Sequence, residues 1–137
     1  MDRVSKECRS YIMKCVPQKN TKPEIRLRQL LHRAGFRFRL HRKDLPGRPD
    51  LVLPKLGVAI FVHGCYWHRH PNCVKATVPA SNRAFWRKKF QDNVNRDART
   101  KSQLEVLGWR VIIVWECEIA SPQMLMERLS MEFLGTL

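Results

Sequence analysis

From residue 21 onward, apolar positions recur with a helical period. In TKPEIRLRQLLHRAG, Leu27, Leu30, Leu31 and Ala34 stand at i, i+3, i+4 and i+7, one apolar stripe with arginines on the other face. Thr21 followed by Glu24 predicts a capping box at the start of this helix, and Gly35 its end. The period then changes to two. FRFRLH, residues 36–41, alternates apolar and basic residues and predicts a half-buried strand. KDLPGRP, with two prolines and a glycine, reads as a loop. DLVLP (50–54) and GVAIFVH (57–63) are short apolar runs flanking Lys55 and Leu56, the pattern of two strands in a hairpin.

VPASNRAFW marks a loop and a helix start, with Ser81 or Asn82 as cap. A long polar helix then runs to Leu107, stopped by Gly108. WRVIIVWEC (109–117) is rich in β-branched and aromatic residues and predicts a central buried strand. SPQMLMERLSMEFL closes the chain as an amphipathic helix, with Ser121 as cap and Pro122 at the first position. The predicted order is αβββ, then α, β, α. The fold class is therefore α/β, a mixed central sheet flanked by helices. Residues 1–20 are polar, basic and aperiodic and read as an arm, leaving 21–137 as one domain.

Composition changes this picture mainly through charge. An apolar fraction of 44% suits a globular chain, not a disordered one. There is no uninterrupted apolar run near the length of a membrane span, and MDRVSKECRSYIMKC lacks the apolar core of a signal peptide. The expectation is a protein of a reducing, intracellular compartment. There the five cysteines do not form a disulfide framework. A formal charge of +14 exceeds what solubility requires and points to a polyanion, with nucleic acid first.

The chemistry concentrates in two stretches. In PGRPDLVL, Asp50 begins a strand just after a rigid loop. Read alone, it is more readily an Asp satisfied by turn amides. Pairing 50–53 with 57–63 would bring it near Val62 and His63, and a carboxylate with a backbone carbonyl and waters suits Mg²⁺. In FVHGCYWHRHPNC, Cys65, His70 and Cys73 have the close spacing of zinc ligands, and Cys117 is the obvious fourth. Buried thiols with a surface histidine are the alternative. Four ligands would close the shell, so the zinc would be structural. Tyr66, Trp67 and Trp86 are candidates for wedging between base pairs. His68, between two zinc ligands, is a candidate general base or acid.

Together, PGRPDLVLP, FVHGCYWHRH, the FW-x7-NVNRD stretch and LGWRVIIVWECEI resemble the very-short-patch repair (Vsr) mismatch endonucleases over about residues 13–120. The resemblance implies a zinc-containing variant of the restriction-endonuclease core and a Mg²⁺-dependent DNA endonuclease. It would nick one strand 5′ of the thymine in a T·G mismatch left by deamination of 5-methylcytosine. It also implies roles by position. Asp50 would bind Mg²⁺ with the Val62 carbonyl, and His68 would act on the attacking water. Cys65, His70, Cys73 and Cys117 would hold Zn²⁺, and Tyr66, Trp67 and Trp86 would enter the DNA. Glu24, His63 and Asp97 would surround the metal and scissile phosphate.

The implied partner is double-stranded DNA, with mismatch-repair proteins and a cognate cytosine methyltransferase as further candidates. The expected protein is a monomer in the bacterial cytoplasm, at the nucleoid when acting. Three departures from the family pattern stand out. Val62 occupies the place of an acidic residue in the wider restriction-enzyme core, no lysine follows it, and Tyr66 stands where phenylalanine is usual. The competing readings are a nuclease of broader mismatch or site specificity and a non-catalytic zinc-stabilised DNA-binding module.

Overall fold

The computed structural model describes residues 21–134. The expected arm, 1–20, lies outside the described residues, as do the last three. Eight elements follow one another: α1 (Lys22–Arg33), β1 (Arg39–Leu40), β2 (Leu51–Leu53), β3 (Val58–His63), α2 (Arg83–Val106), β4 (Arg110–Trp115), the short α3 (Glu116–Ile119) and α4 (Pro122–Leu134). The expected order holds, with α3 added.

The strands form one mixed sheet in the order β1-β2-β3-β4. β2 and β3 are the predicted antiparallel hairpin, with Leu51 opposite Ile60 and Leu53 opposite Val58. β3 and β4 run parallel, from Val58 beside Arg110 to His63 beside Trp115. Because side chains alternate along a strand, the sheet buries two faces. On one face Leu51, Leu53, Val58, Ile60, Ile112 and Val114 meet Leu27, Leu30 and Leu31 of α1 and Leu125, Leu129 and Phe133 of α4. On the other, Val52 and Ala59 meet Leu45 and Leu104, the latter from α2. Removing a fully buried leucine side chain from water contributes about 2 kcal/mol, so these stripes dominate the packing.

Both predicted glycine stops are built alike. Gly35 and Gly108 have φ of 89° and 94°, the left-handed conformation that closes a Schellman motif. The matching bonds run from Phe36 N–H to the Leu31 carbonyl and from Trp109 N–H to the Leu104 carbonyl, each at 3.0 Å.

Three expectations are corrected. The capping box does not form: Thr21 makes no side-chain cap hydrogen bond, and Glu24 is instead buried against Arg28 and His41. Asn82 does occupy the cap position of α2, as expected, in a left-handed conformation and without a side-chain cap bond. The 36–41 strand shrinks to Arg39–Leu40, and His41 turns to φ 46° just beyond it. Its phenylalanines still pack inward, with Phe36 edge-on to Phe133 at 5.0 Å. Finally, β4 is an edge strand among the described residues rather than a central one. Its apolar character records burial on both faces by helices, which does not require a strand on both sides. It also ends early: the Glu118 carboxylate accepts the Trp115 N–H at 3.0 Å and turns the chain into α3.

Candidate metal and nuclease site

The site lies where β2 begins and where the parallel strands β3 and β4 end. His63 is paired with Trp115 across the two parallel strands, and Cys65 and Cys117 each follow two residues later. Equal offset from a parallel pair brings the two thiols together. The loop after β3 supplies the rest. His70 Nδ1 lies 3.6 Å from Cys65 Sγ and 3.4 Å from Cys117 Sγ. Cys65, His70, Cys73 and Cys117 all place a ligand atom within 4.8 Å of one another. A tetrahedral zinc with ordinary Zn–S and Zn–N bonds would put sulfur and nitrogen roughly 3.5 Å apart. The four residues therefore fit a zinc ion. Burial pushes the Cys65 thiol up to about 12, so a thiolate there needs a cation beside it. The His70 ring stacks on Trp115 at 4.3 Å, and the Glu116 carboxylate accepts the Cys65 N–H at 3.1 Å. Cys117 thus comes from α3, not from the end of the strand as expected. Cys8 and Cys15 lie outside the described residues.

Asp50 does face the end of β3. Its Oδ2 accepts the Val62 N–H at 2.6 Å. In an extended strand a residue's N–H and C=O point to the same edge, so the Val62 carbonyl is directed to the Asp50 side. A carboxylate oxygen and a carbonyl oxygen at one sheet edge fit the hard-ligand preference of Mg²⁺. Burial raises Asp50 from 3.8 to about 6. The Val62 N–H opposes the rise, neighbouring Glu24 adds to it, and His41 and His68 oppose it.

Beside Asp50 stands a second group. His68 Nδ1 lies 2.7 Å from Asp97 Oδ2. Burial works to raise Asp97, but the hydrogen bond and charge of His68, with His63 and Arg96, hold it below its usual value. An ionised Asp97 accepts Nδ1–H and leaves His68 Nε2 as the proton-accepting nitrogen. His63 stacks on His68 at 3.8 Å with ring planes 11° apart. Burial, and then the nearness of His68, pull His63 down to about 3, so it is neutral at ordinary pH.

The aromatic residues form a cluster over α2. Tyr66 and Trp67 are half-buried and meet edge to face at 5.0 Å. Trp86 is only 5% exposed and packs against Phe90 and Trp67. In this conformation it braces Trp67 and presents no face to solvent, unlike its neighbour Phe85, which is 60% exposed. Several participants had not been singled out. Arg69 lies over Phe90 at 4.1 Å and donates to the carbonyls of Tyr66, Ala76 and Thr77. Asn93 donates to the Trp67 carbonyl at 3.3 Å. Trp86, Phe90, Asn93, Asp97 and Leu104 share one face of α2 at steps of three, four or seven. That stripe was present in the sequence, but its polar members hid it. His41 carried no comparable signal.

Residues 1–75 match the family described as DNA mismatch endonuclease Vsr. The chain is 50% identical over 119 residues to the type II nicking enzyme V.XorIIP of Xanthomonas oryzae pv. oryzae, covering 87% of each chain. It is 42% identical over 122 residues to the type II nicking enzyme V.NmeAIP of Neisseria meningitidis, covering 89% of this chain and 86% of that one. It is 46% identical over 114 residues to the DNA mismatch endonuclease Vsr of Escherichia coli, covering 83% and 72%.

Proposed function

Because the chain belongs to the Vsr family of DNA mismatch endonucleases, we propose that it is a Mg²⁺-dependent endonuclease that nicks the phosphodiester 5′ of the thymine in a T·G mismatch. The observation that carries this reading is convergence. Asp50 and the His68–Asp97 pair stand at one end of the sheet, beside a loop whose aromatics are pinned by four potential zinc ligands. The mixed sheet with its carboxylate at the start of β2 supports assignment to a restriction-endonuclease-like core.

The duplex would be held through its phosphates by exposed basic residues of α2, among them Arg83, Arg87, Lys88, Arg96 and Arg99. The basic arm, 1–20, would grip from elsewhere. This binding should weaken steeply with salt. Tyr66 and Trp67 would enter the stack at the mismatch, where unstacking costs least. Trp86 joins them only if the Trp67 contact opens. Asp50 and the Val62 carbonyl would hold Mg²⁺, which polarises the phosphoryl oxygen and stabilises the leaving oxygen. His68 Nε2 takes the proton from the attacking water, and Asp97 holds the ring and stabilises its charge. Neutral His63 and buried Glu24 shape the surroundings of that proton transfer. In-line attack leaves a 5′-phosphate and a 3′-hydroxyl. A zinc ion held by Cys65, His70, Cys73 and Cys117 would fix the distance from wedge to scissile bond.

Strand-resolved cleavage of a panel of mismatched and paired duplexes, with and without Mg²⁺, tests this reading. T·G should be nicked on the thymine strand well ahead of the other substrates. Equal cutting of a perfectly paired duplex would refute the mismatch assignment. Binding without cutting under all conditions would leave only a DNA-binding module.

A further inference from the structure

Glu24, His41 and Asp50 come from three separate places: the first turn of α1, the residue after β1 and the residue before β2. Each offers one ligand atom, and the three atoms lie within 4.8 Å of one another. Glu24 is 1% exposed. Its Oε1 meets His41 Nε2 at 2.5 Å and Arg28 at 2.6 Å. The backbone of His41 is tied to the same place, donating its N–H to the Asp50 carbonyl at 3.3 Å. Two carboxylates this close, one of them buried, repel each other unless positive charge stands between them. The imidazole is the only nitrogen donor of the triad, and its ring nitrogen already points at the carboxylate that faces Asp50.

We propose that Glu24, His41 and Asp50 form a three-ligand divalent-cation site whose imidazole nitrogen admits borderline ions such as Mn²⁺ alongside Mg²⁺. The proposal rests on the reading of Asp50 as a metal ligand and adds Glu24 and His41 to it. Mg²⁺ prefers oxygen and keeps its waters, whereas imidazole binds borderline transition metals better. An ion here replaces the direct Glu24–His41 contact, and ligands adjacent in an octahedral shell stand roughly 3 Å apart. Three side chains and the Val62 carbonyl would leave about two positions of an octahedral shell for water and a phosphate oxygen.

The test uses zinc-loaded full-length protein without DNA, titrated with Mn²⁺ and followed by electron paramagnetic resonance, with Mg²⁺ affinity read by competition. Wild type should show nitrogen coupling from a directly bound imidazole. His41→Gln, which can still donate to Glu24, should lose that coupling and bind Mn²⁺ at least about tenfold more weakly. Its Mg²⁺ affinity should change by less than about threefold, since Mg²⁺ depends on the oxygens. Unchanged zinc content and circular dichroism establish that the variant is folded. Nitrogen coupling that is absent in wild type, or that survives His41→Gln, overturns the proposal. If Asp50→Ala still abolishes binding in that case, the Asp50 reading stands and only the histidine ligand is lost. Mn²⁺ and Mg²⁺ binding unaffected by Asp50→Ala would overturn both.

Discussion

Replacing Asp50 with asparagine should make the metal-free protein more stable while abolishing nicking. Burial raises the carboxyl from 3.8 to about 6, which at 1.36 kcal/mol per pKa unit corresponds to about 3 kcal/mol. A folded-state pKa above the unfolded one means that the fold favours the protonated acid. Below 3.8 the group is protonated in both states and no penalty applies; above about 6 it is ionised in both and the full penalty applies. Asparagine has nearly the same shape, and its Oδ1 can still accept the Val62 N–H.

Urea unfolding of both proteins in zinc-replete, Mg²⁺-free buffer at a series of pH values measures the difference. Asp50→Asn should lead by up to about 3 kcal/mol at pH 7 to 8, and the lead should close as pH falls from 6 to 4. His63 acts in the other direction. Burial draws it from 6.5 to about 3, so stability present above 6.5 is lost as pH falls below it. That loss is common to both proteins and cancels in the difference. Adding Mg²⁺ should narrow the gap, because the proposed site would bind it through the carboxylate that Asp50→Asn removes. A gap that does not vary with pH, or a wild type that is more stable throughout, would refute the desolvation argument.

Cys117→Ser should release zinc, seen by elemental analysis, and lower the melting temperature sharply, since structural zinc contributes on the order of 10 kcal/mol to folding. Retained zinc and unchanged melting would remove Cys117 from the ligand set. Asp97→Asn should slow single-turnover nicking of a T·G duplex about 10²- to 10⁴-fold with little change in DNA affinity, because His68 loses the charge that fixes its tautomer. Gly47→Ala would place a Cβ 2.2 Å from Thr100 Cγ2 on α2, at a backbone φ of 73°. It should destabilise by about 1–3 kcal/mol in thermal melts. Thr100→Ala in the same chain should recover only the steric part, and full recovery would show that the backbone there is unstrained.

Local pattern determined most of the elements. The apolar stripes of α1 and α4, the hairpin of β2 and β3 and the two glycine stops all follow from interactions within a few residues. A period or a φ angle written into the sequence was enough to find them. The Cys65, His70 and Cys73 part of the candidate metal cluster was legible for the same reason, since a tight loop keeps near neighbours near. Trp86 and Glu24 show where that reasoning ends. An aromatic beside a helix start reads the same whether it faces solvent or packs beneath Trp67. A glutamate three residues after a threonine reads as a cap until a buried partner outcompetes the helix end.

What only the tertiary structure decided was which distant residues share a space. The parallel register of His63 with Trp115 placed Cys117 against Cys65. The packing of α2 on the sheet carried Asp97 to His68. The turn at His41 brought an unremarked imidazole to Glu24 and Asp50. Side-chain chemistry was fixed residue by residue, but its use depends on separations of a few ångströms across dozens of residues. Those separations are set by sheet register and helix packing, and neither is a property of any short stretch of chain.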